Sequence, residues 1–276
     1  MTKIIAIGGK KKSGKGLAGT YLSGLILGSR QSLDDFRLNQ ENNDYHVDLV
    51  GKGASANVHI NTIDPDVVKI YNFADRLKLI CADLFGLDIN KFHGTEEEKN
   101  SPTHLKWSCM PGVCTNEQFF HKAKNWEKAR HGKVGRKKFG EFPEGFVCKE
   151  PGFMTHRDVL QYFGTEVCRN IFQPCWSNAL LADIRRDGPE FAIITDLRFD
   201  NEFFDLKSQS AMQCLTVYLM RDIYEGNDGH ASENGFSDDL SWDIKIDNRA
   251  GGPKDMCDKL IERIRETNIL RPNDTD

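Results

Sequence analysis

An apolar run at residues 4–7, Ile-Ile-Ala-Ile, leads directly into Gly-Gly-Lys-Lys-Lys-Ser-Gly-Lys-Gly and then into a helical pattern. The order is buried strand, glycine-rich turn, helix. Gly9, Gly14 and Lys15 carry the spacing of a P-loop, in which four residues separate the two glycines and lysine follows the second. The chemistry behind that spacing is anion binding. The start of a helix offers unpaired N–H donors and the positive end of a dipole, and glycines let the backbone curl close to phosphate. Gly9, Ser13, Gly14, Lys15 and Gly16 are therefore expected to line a nucleotide's phosphates, with Lys15 reaching the terminal ones. The hydroxyl that usually follows the lysine and holds Mg²⁺ is absent, because Gly16 and Leu17 stand there. That points to a subclass reaching Mg²⁺ through water and phosphates. The competing reading is a lysine-rich turn that only caps a helix.

A chain of 276 residues with 39% hydrophobic content can bury a substantial core. Charged residues make up 28% and the net charge is -4, so the chain is not basic overall and general coating of nucleic acid is not expected. No apolar run approaches the length of a membrane span, and Gly8 and the lysine cluster interrupt any leader-like core at the N-terminus. The expected location is the cytoplasm. The eight cysteines, Cys81, Cys109, Cys114, Cys148, Cys168, Cys175, Cys214 and Cys257, are then expected to be reduced and mostly packed. Cys109, Cys114 and Cys148 with His121 and His131 also admit a zinc reading, although their spacing lies at the edge of the usual range.

Strands are expected at residues 4–7, 67–71, 191–195, 215–219 and 243–246, with an edge strand at 45–50. Helical spacing marks 17–26, 74–85, 158–171 and 256–264, the last introduced by Pro253. Alternating strands and helices predict an α/β fold with a mostly parallel sheet flanked by helices, in a single domain spanning 1–276. Residues 93–152 differ: they are polar and rich in Lys, Arg, His and Gly. They read as an inserted basic, lid-like region that covers substrate, with a nucleic-acid patch at 122–138 or a solvated face as the other readings.

Two further segments carry candidate chemistry. At 193–202, Ile-Ile-Thr-Asp-Leu-Arg-Phe-Asp-Asn-Glu, a strand ends in an acid where parallel sheets place ligands. Asp196 would order water around Mg²⁺, and Arg198 would fork onto phosphate. The local alternative is that Asp196 caps the next helix and pairs with Arg198. At 155–169, Thr155 and Asp158 form a capping box ahead of a helix on which Arg157 and Gln161 share a face.

The segments GKKKSGKG at 9–16, NFADRLK at 72–78, RDVLQYFGTEVCR at 157–169 and ITDLRFDNE at 194–202 resemble, in that order, the deoxynucleoside monophosphate kinases of tailed bacteriophages, a branch of the P-loop nucleoside monophosphate kinases. Weaker matches are HASE at 230–233 and IDN at 246–248. The resemblance implies a P-loop kinase fold, ATP with Mg²⁺, and phosphorylation of deoxynucleoside 5′-monophosphates in a host cytoplasm. Under it, Lys15, Arg157, Arg169 and Arg198 are the catalytic candidates. Arg221 and Asn248 would join the turn in binding ATP, and Asp196 would meet the metal through water. Phe73, Asp75, Lys78 and Gln161 would bind the acceptor, while His230, Ser232 and Glu233 would order a nearby loop. The chain departs from the family at Arg76, where proline is usual. A homodimer is kept open. The competing functions are another small-molecule P-loop kinase and a nucleotide-sensing module that interacts with nucleic acid.

Overall fold

The N-terminal apolar run becomes the central strand of a five-stranded sheet. The computed structural model describes residues 1–10, 13–31, 35–41, 44–50, 64–115, 147–221, 236–249 and 252–270. Strand β1 (Lys3–Gly9) leads to helix α1 (Lys15–Gln31). Strands β2 (Asp35–Glu41) and β3 (Asp44–Val50) form a separate antiparallel pair, and β4 (Val68–Tyr71) returns to the main sheet. After helix α2 (Phe73–Phe85), the sheet resumes much later in the chain with β9 (Phe191–Leu197), β10 (Gln213–Met220) and β11 (Ile244–Asp247). The spatial order is β11-β10-β1-β9-β4, and every pairing is parallel. The α/β expectation is borne out. The strand expected at 45–50 exists, but it pairs with its chain neighbour instead of edging the main sheet. A short connection can only reverse the chain, which dictates an antiparallel partner.

Alternation along the strands divides the core. Ile5, Ile7, Ile193, Val217 and Leu219 pack with Leu22 and Ile26 of α1 and with Met256, Leu260 and Ile264 of the last helix, α8 (Pro253–Arg265). Pro253 occupies the first helical turn of α8, where a missing N–H costs nothing. Helices α6 (Cys175–Asp187) and α7 (Asp200–Lys207) precede β9 and β10, respectively. Phe203 of α7 meets Trp242, whose ring also lies against Gly8 on the opposite side of β1 from Ile7. No helix among the described residues is long and apolar enough to cross a membrane.

The chain divides into two compact units, Met1–Arg76 with Gln173–Asp276, and Leu77–Phe172. The second unit is therefore wider than the 93–152 insertion read from composition. It contains most of α2, helices α3 (Ile89–His93) and α4 (Glu96–Lys99), and strands β5 (Pro102–Lys106), β6 (Val113–Cys114), β7 (Val147–Cys148) and β8 (Phe153–Thr155). Helix α5 (His156–Gln161) follows and runs on as a π-helix over Tyr162–Arg169. Aromatic contacts tie the unit together: Phe85 meets Phe163 and Phe92 meets His156, each edge to face with centroids 5.4 Å apart. The 158–171 pattern predicted an ordinary α-helix. The π segment widens the turn at Gly164, where an added Cβ would lie 2.6 Å from Leu77. Side-chain faces beyond such a segment no longer follow the simple i, i+4 count.

Candidate functional site

All five parallel strands of the first unit finish on one edge, and that edge gathers the candidate residues. Gly9 is the register partner of Leu219, Gly8 of Leu197, and Met220 of Asp247. Arg198, Arg221 and Asn248 therefore follow neighbouring strand ends, beside the Gly9–Gly16 turn. The chain leaves β1 toward β4 and leaves β10 toward β11, in opposite directions. The crevice created by such a reversal is where open α/β sheets accept ligands.

The turn is built from sequence-local forces. Ser13 N–H donates to the Lys10 carbonyl at 3.2 Å, and Ala18 N–H donates to Gly14 at 2.9 Å to start α1. Gly14 has φ +94°, a conformation that disfavours residues with a Cβ. The Lys15 ammonium donates to the carbonyl oxygens of Gly9 at 2.6 Å and Lys10 at 2.8 Å. The first turn of α1 contains no acid. Lysines and a helix start preceded by glycine, with no acid in its first turn, favour an anion. The Ser13 hydroxyl is fully buried and has no partner among the described residues. Lys11 and Lys12 lie outside the described residues.

Asp196 ends β9 as an anchor for α2. One carboxylate oxygen accepts Phe73 N–H at 2.8 Å and the other accepts Ala74 N–H at 3.2 Å. Burial raises the Asp196 carboxyl above its ordinary value, opposed by the Phe73 N–H, the Arg198 charge and the Ala74 N–H. Thr195 extends the attachment, its hydroxyl donating to the Asn72 side chain at 2.7 Å. Asn72 in turn donates to Asp75 from its backbone at 3.1 Å and its amide group at 3.0 Å. The expectation that Asp196 caps the helix following it in sequence is corrected: its carboxylate holds the start of α2, whose N–H groups the fold brings to the end of β9. Glu202 performs that local task, accepting the N–H groups of Arg198 at 3.0 Å and Phe199 at 3.2 Å.

The other expected contacts divide clearly. Phe73 is 5% exposed, which is the core-packing environment. Arg76, which stands where the phage kinases usually have proline, forms a two-pronged ion pair with Asp183. Asn248 is buried, donates its N–H to Met220 at 2.9 Å, and leaves its side-chain oxygen without a partner among the described residues. Arg221 likewise has a buried Nε without one. Lys78, Arg157, Gln161 and Arg169 belong to the second unit. There Lys78 lies 3.4 Å from His93, and Arg157 pairs with Glu96 at 2.8 Å. Thr155 and Asp158 form the expected capping box, with Thr155 N–H donating at 2.9 Å and Asp158 N–H at 3.1 Å.

Sequence reasoning missed the aromatic cluster beside the turn. Trp242 stands 5.1 Å from Tyr218, 4.8 Å from Phe236 and 4.9 Å from Phe203, centroid to centroid. A Cβ on Gly8 would lie 2.4 Å from the Trp242 ring. The only available signal was the Gly8-Gly9 pair at a strand end. His121, His131, the 122–138 basic run and His230, Ser232 and Glu233 fall outside the described residues. Among the described side chains, no group of three His, Cys, Asp or Glu residues is placed to hold a metal.

The chain matches no protein-family model, and no curated protein matches it at a significant level.

Proposed function

We propose that this protein transfers the terminal phosphoryl group of ATP to a deoxynucleoside 5′-monophosphate, giving ADP and the deoxynucleoside diphosphate. The observation that carries the reading is Lys15, positioned at the start of α1 by its bonds to Gly9 and Lys10, at the reversal point of a parallel sheet. The acceptor class rests on the resemblance of segments 9–16, 72–78, 157–169 and 194–202 to the phage kinases.

Phosphoryl transfer requires positioning and charge neutralisation more than a strong base. The amides of Ser13, Gly14, Lys15 and Gly16 would cradle the ATP phosphates while Lys15 exchanges its backbone acceptors for phosphate oxygens. Arg198, exposed at the same sheet edge, would contact phosphate through its guanidinium fork. The resemblance to the phage kinases, and not the arrangement of the two units, is what assigns Arg157 and Arg169 as charge for the transferring group. Mg²⁺ bound with ATP would neutralise phosphate charge. Asp196 fits it through water, since each carboxylate oxygen already accepts an amide and retains a second lone pair. Asn248 would offer its unused buried oxygen to an amino group of the ATP base.

A coupled ADP-release assay over all common deoxynucleoside and ribonucleoside monophosphates tests the proposal. Turnover with one or more deoxynucleotides is expected. ATP binding with no monophosphate phosphorylated would overturn it, and salt-sensitive binding of DNA or RNA in its place would favour the nucleic-acid module.

A further inference from the structure

The π segment at Tyr162–Arg169 changes which side chains share a face with α5. Each residue turns about 100° round the axis in an α-helix and about 82° where i→i+5 bonds widen the turn. Counted from Arg157 in this way, Gln161 lies about 40° round, Thr165 about 10°, and Arg169 about 25° to the other side. An unbroken α-helix would carry Thr165 to about 80° and Arg169 to about 120°. The π segment thus lines up four polar side chains that would otherwise spiral apart, and all four are half-buried.

Packing within the second unit follows the same count. It gathers His156, Val159, Phe163 and Gly164 on one flank about 85° wide. His156 and Val159 are buried, the Phe163 ring meets Phe85, and an added Cβ on Gly164 would reach Leu77. Phe85 and Leu77 both belong to α2, which therefore covers this flank and leaves the line of four beside it. Glu166, the acid next to Thr165, turns about 80° away from it and is exposed. Asp158, about 100° from Arg157, is occupied in the capping box. The line itself carries no acid. Glu96 reaches one end of it, pairing with Arg157 from an exposed position.

We propose that Thr165 is a phosphate-binding residue: its hydroxyl and the Arg169 guanidinium, one π-turn apart on one face, hold the same phosphate ester, and Gln161 and Arg157 continue that line. The chemistry is that of a tetrahedral dianion. A guanidinium presents a planar fork of N–H donors to phosphate oxygens, and a threonine hydroxyl adds a short neutral donor beside it. The Arg157–Glu96 pair is solvent-exposed and contributes about 0–1 kcal/mol, so an arriving phosphate can replace it. That the ester belongs to the deoxynucleotide acceptor rests on the function proposed above; that the line holds an anion does not.

The test is calorimetric titration of inorganic phosphate into full-length Lys15→Ala protein, in which the glycine-rich turn competes less for the anion. In that background Thr165→Val should weaken binding at least fivefold and Arg169→Gln at least tenfold, the scale of losing a hydrogen bond to a charged group. The double variant should bind no more weakly than Arg169→Gln alone, because both residues act on one ion. Thr165→Ser, which keeps the hydroxyl, should bind as the parent does, and Glu166→Gln should change affinity less than twofold. With Lys15 restored, Thr165→Val should raise KM for the deoxynucleotide and leave KM for ATP unchanged. Thr165→Ala replaces the valine variant if that one fails to fold. Absence of phosphate binding, affinity indifferent to Thr165, or strictly additive losses would each overturn the inference. Turnover with an unaltered deoxynucleotide KM in Thr165→Val would also overturn it and leave the kinase standing. The expected phosphate affinities without any deoxynucleotide phosphorylated would instead retire the kinase and keep the anion line.

Discussion

The carboxylate of Asp196 receives the Phe73 amide at 2.8 Å, joining the end of β9 to the start of α2 across a sequence separation of 123 residues. An acid expected to serve a metal is thereby also the anchor of a helix. Asp196→Ala should cost about 1–3 kcal/mol, because two backbone donors lose their acceptor in a partly buried place. Asp196→Asn, which keeps one acceptor oxygen, should cost less. Urea denaturation of the two variants separates this helix-anchoring role from a role confined to catalysis, which would leave stability untouched.

Lys15→Ala should reduce phosphoryl transfer by about 10²–10³-fold, the scale of removing a preorganised charge from a transition state. Its bonds in the free protein go to carbonyls of its own turn, so the melting temperature should change little. Steady-state ADP release and a thermal melt on the same preparation check both halves. Unchanged turnover would remove the turn from the mechanism.

Gly16→Ala asks whether the turn requires bare backbone there. A Cβ at Gly16 meets no atom within 4 Å. The free protein should therefore gain up to about 0.5–1 kcal/mol from helix propensity. If phosphate approaches the Gly16 amide closely, KM for ATP should rise in the same variant. Stability and KM moving together in this way would be difficult to explain for a turn that only caps a helix.

Arg157 offers a cleaner separation. Its partner Glu96 is 64% exposed, and surface pairs of this kind contribute about 0–1 kcal/mol. Arg157→Ala should leave the melting temperature nearly unchanged but lower kcat at least tenfold. Glu96→Gln should alter neither. Equal kcat for Arg157→Ala and wild type would assign Arg157 to the surface alone.

Acid should weaken the first unit. The Arg76 guanidinium holds Asp183 below its usual carboxylate value, the Lys69 ammonium does the same for Asp187, and at Asp243 the Lys207 ammonium and Thr216 outweigh burial. Depressed folded-state values mean these carboxylates contribute their stability above the unfolded value of about 3.9, and that contribution is lost as pH falls through the lower folded values. Melting temperatures measured from pH 5 down to pH 2.5 should decline, and less steeply in Arg76→Ala.

Where local pattern decides structure, the sequence was readable. The apolar runs became the parallel sheet, Pro253 began α8, and Thr155 with Asp158 capped α5. The turn at Gly9–Gly16 was legible because its glycines, lysine and flanking elements are contiguous. Strand β2 was not, since Asp-Phe-Arg-Leu-Asn-Gln-Glu lacks an apolar run and acquires its identity from pairing with β3. The work of Asp196 and Arg76 was hidden for the same physical reason: their partners, Phe73 and Asp183, lie about a hundred residues away. Phe73 illustrates the limit for single residues, because composition cannot distinguish a ring that stacks on a base from one committed to packing.

The central strand has a consequence for how this protein is made. Lys3 pairs with Phe191 on one side and Gln213 on the other. At about 5–20 residues per second, a ribosome needs on the order of 10–40 s after making β1 before either neighbour exists. During that interval a strand buried along nearly its whole length must wait unpaired, so premature termination anywhere before β9 releases a sticky fragment, and nascent-chain chaperones should engage this polypeptide from its first residues onward.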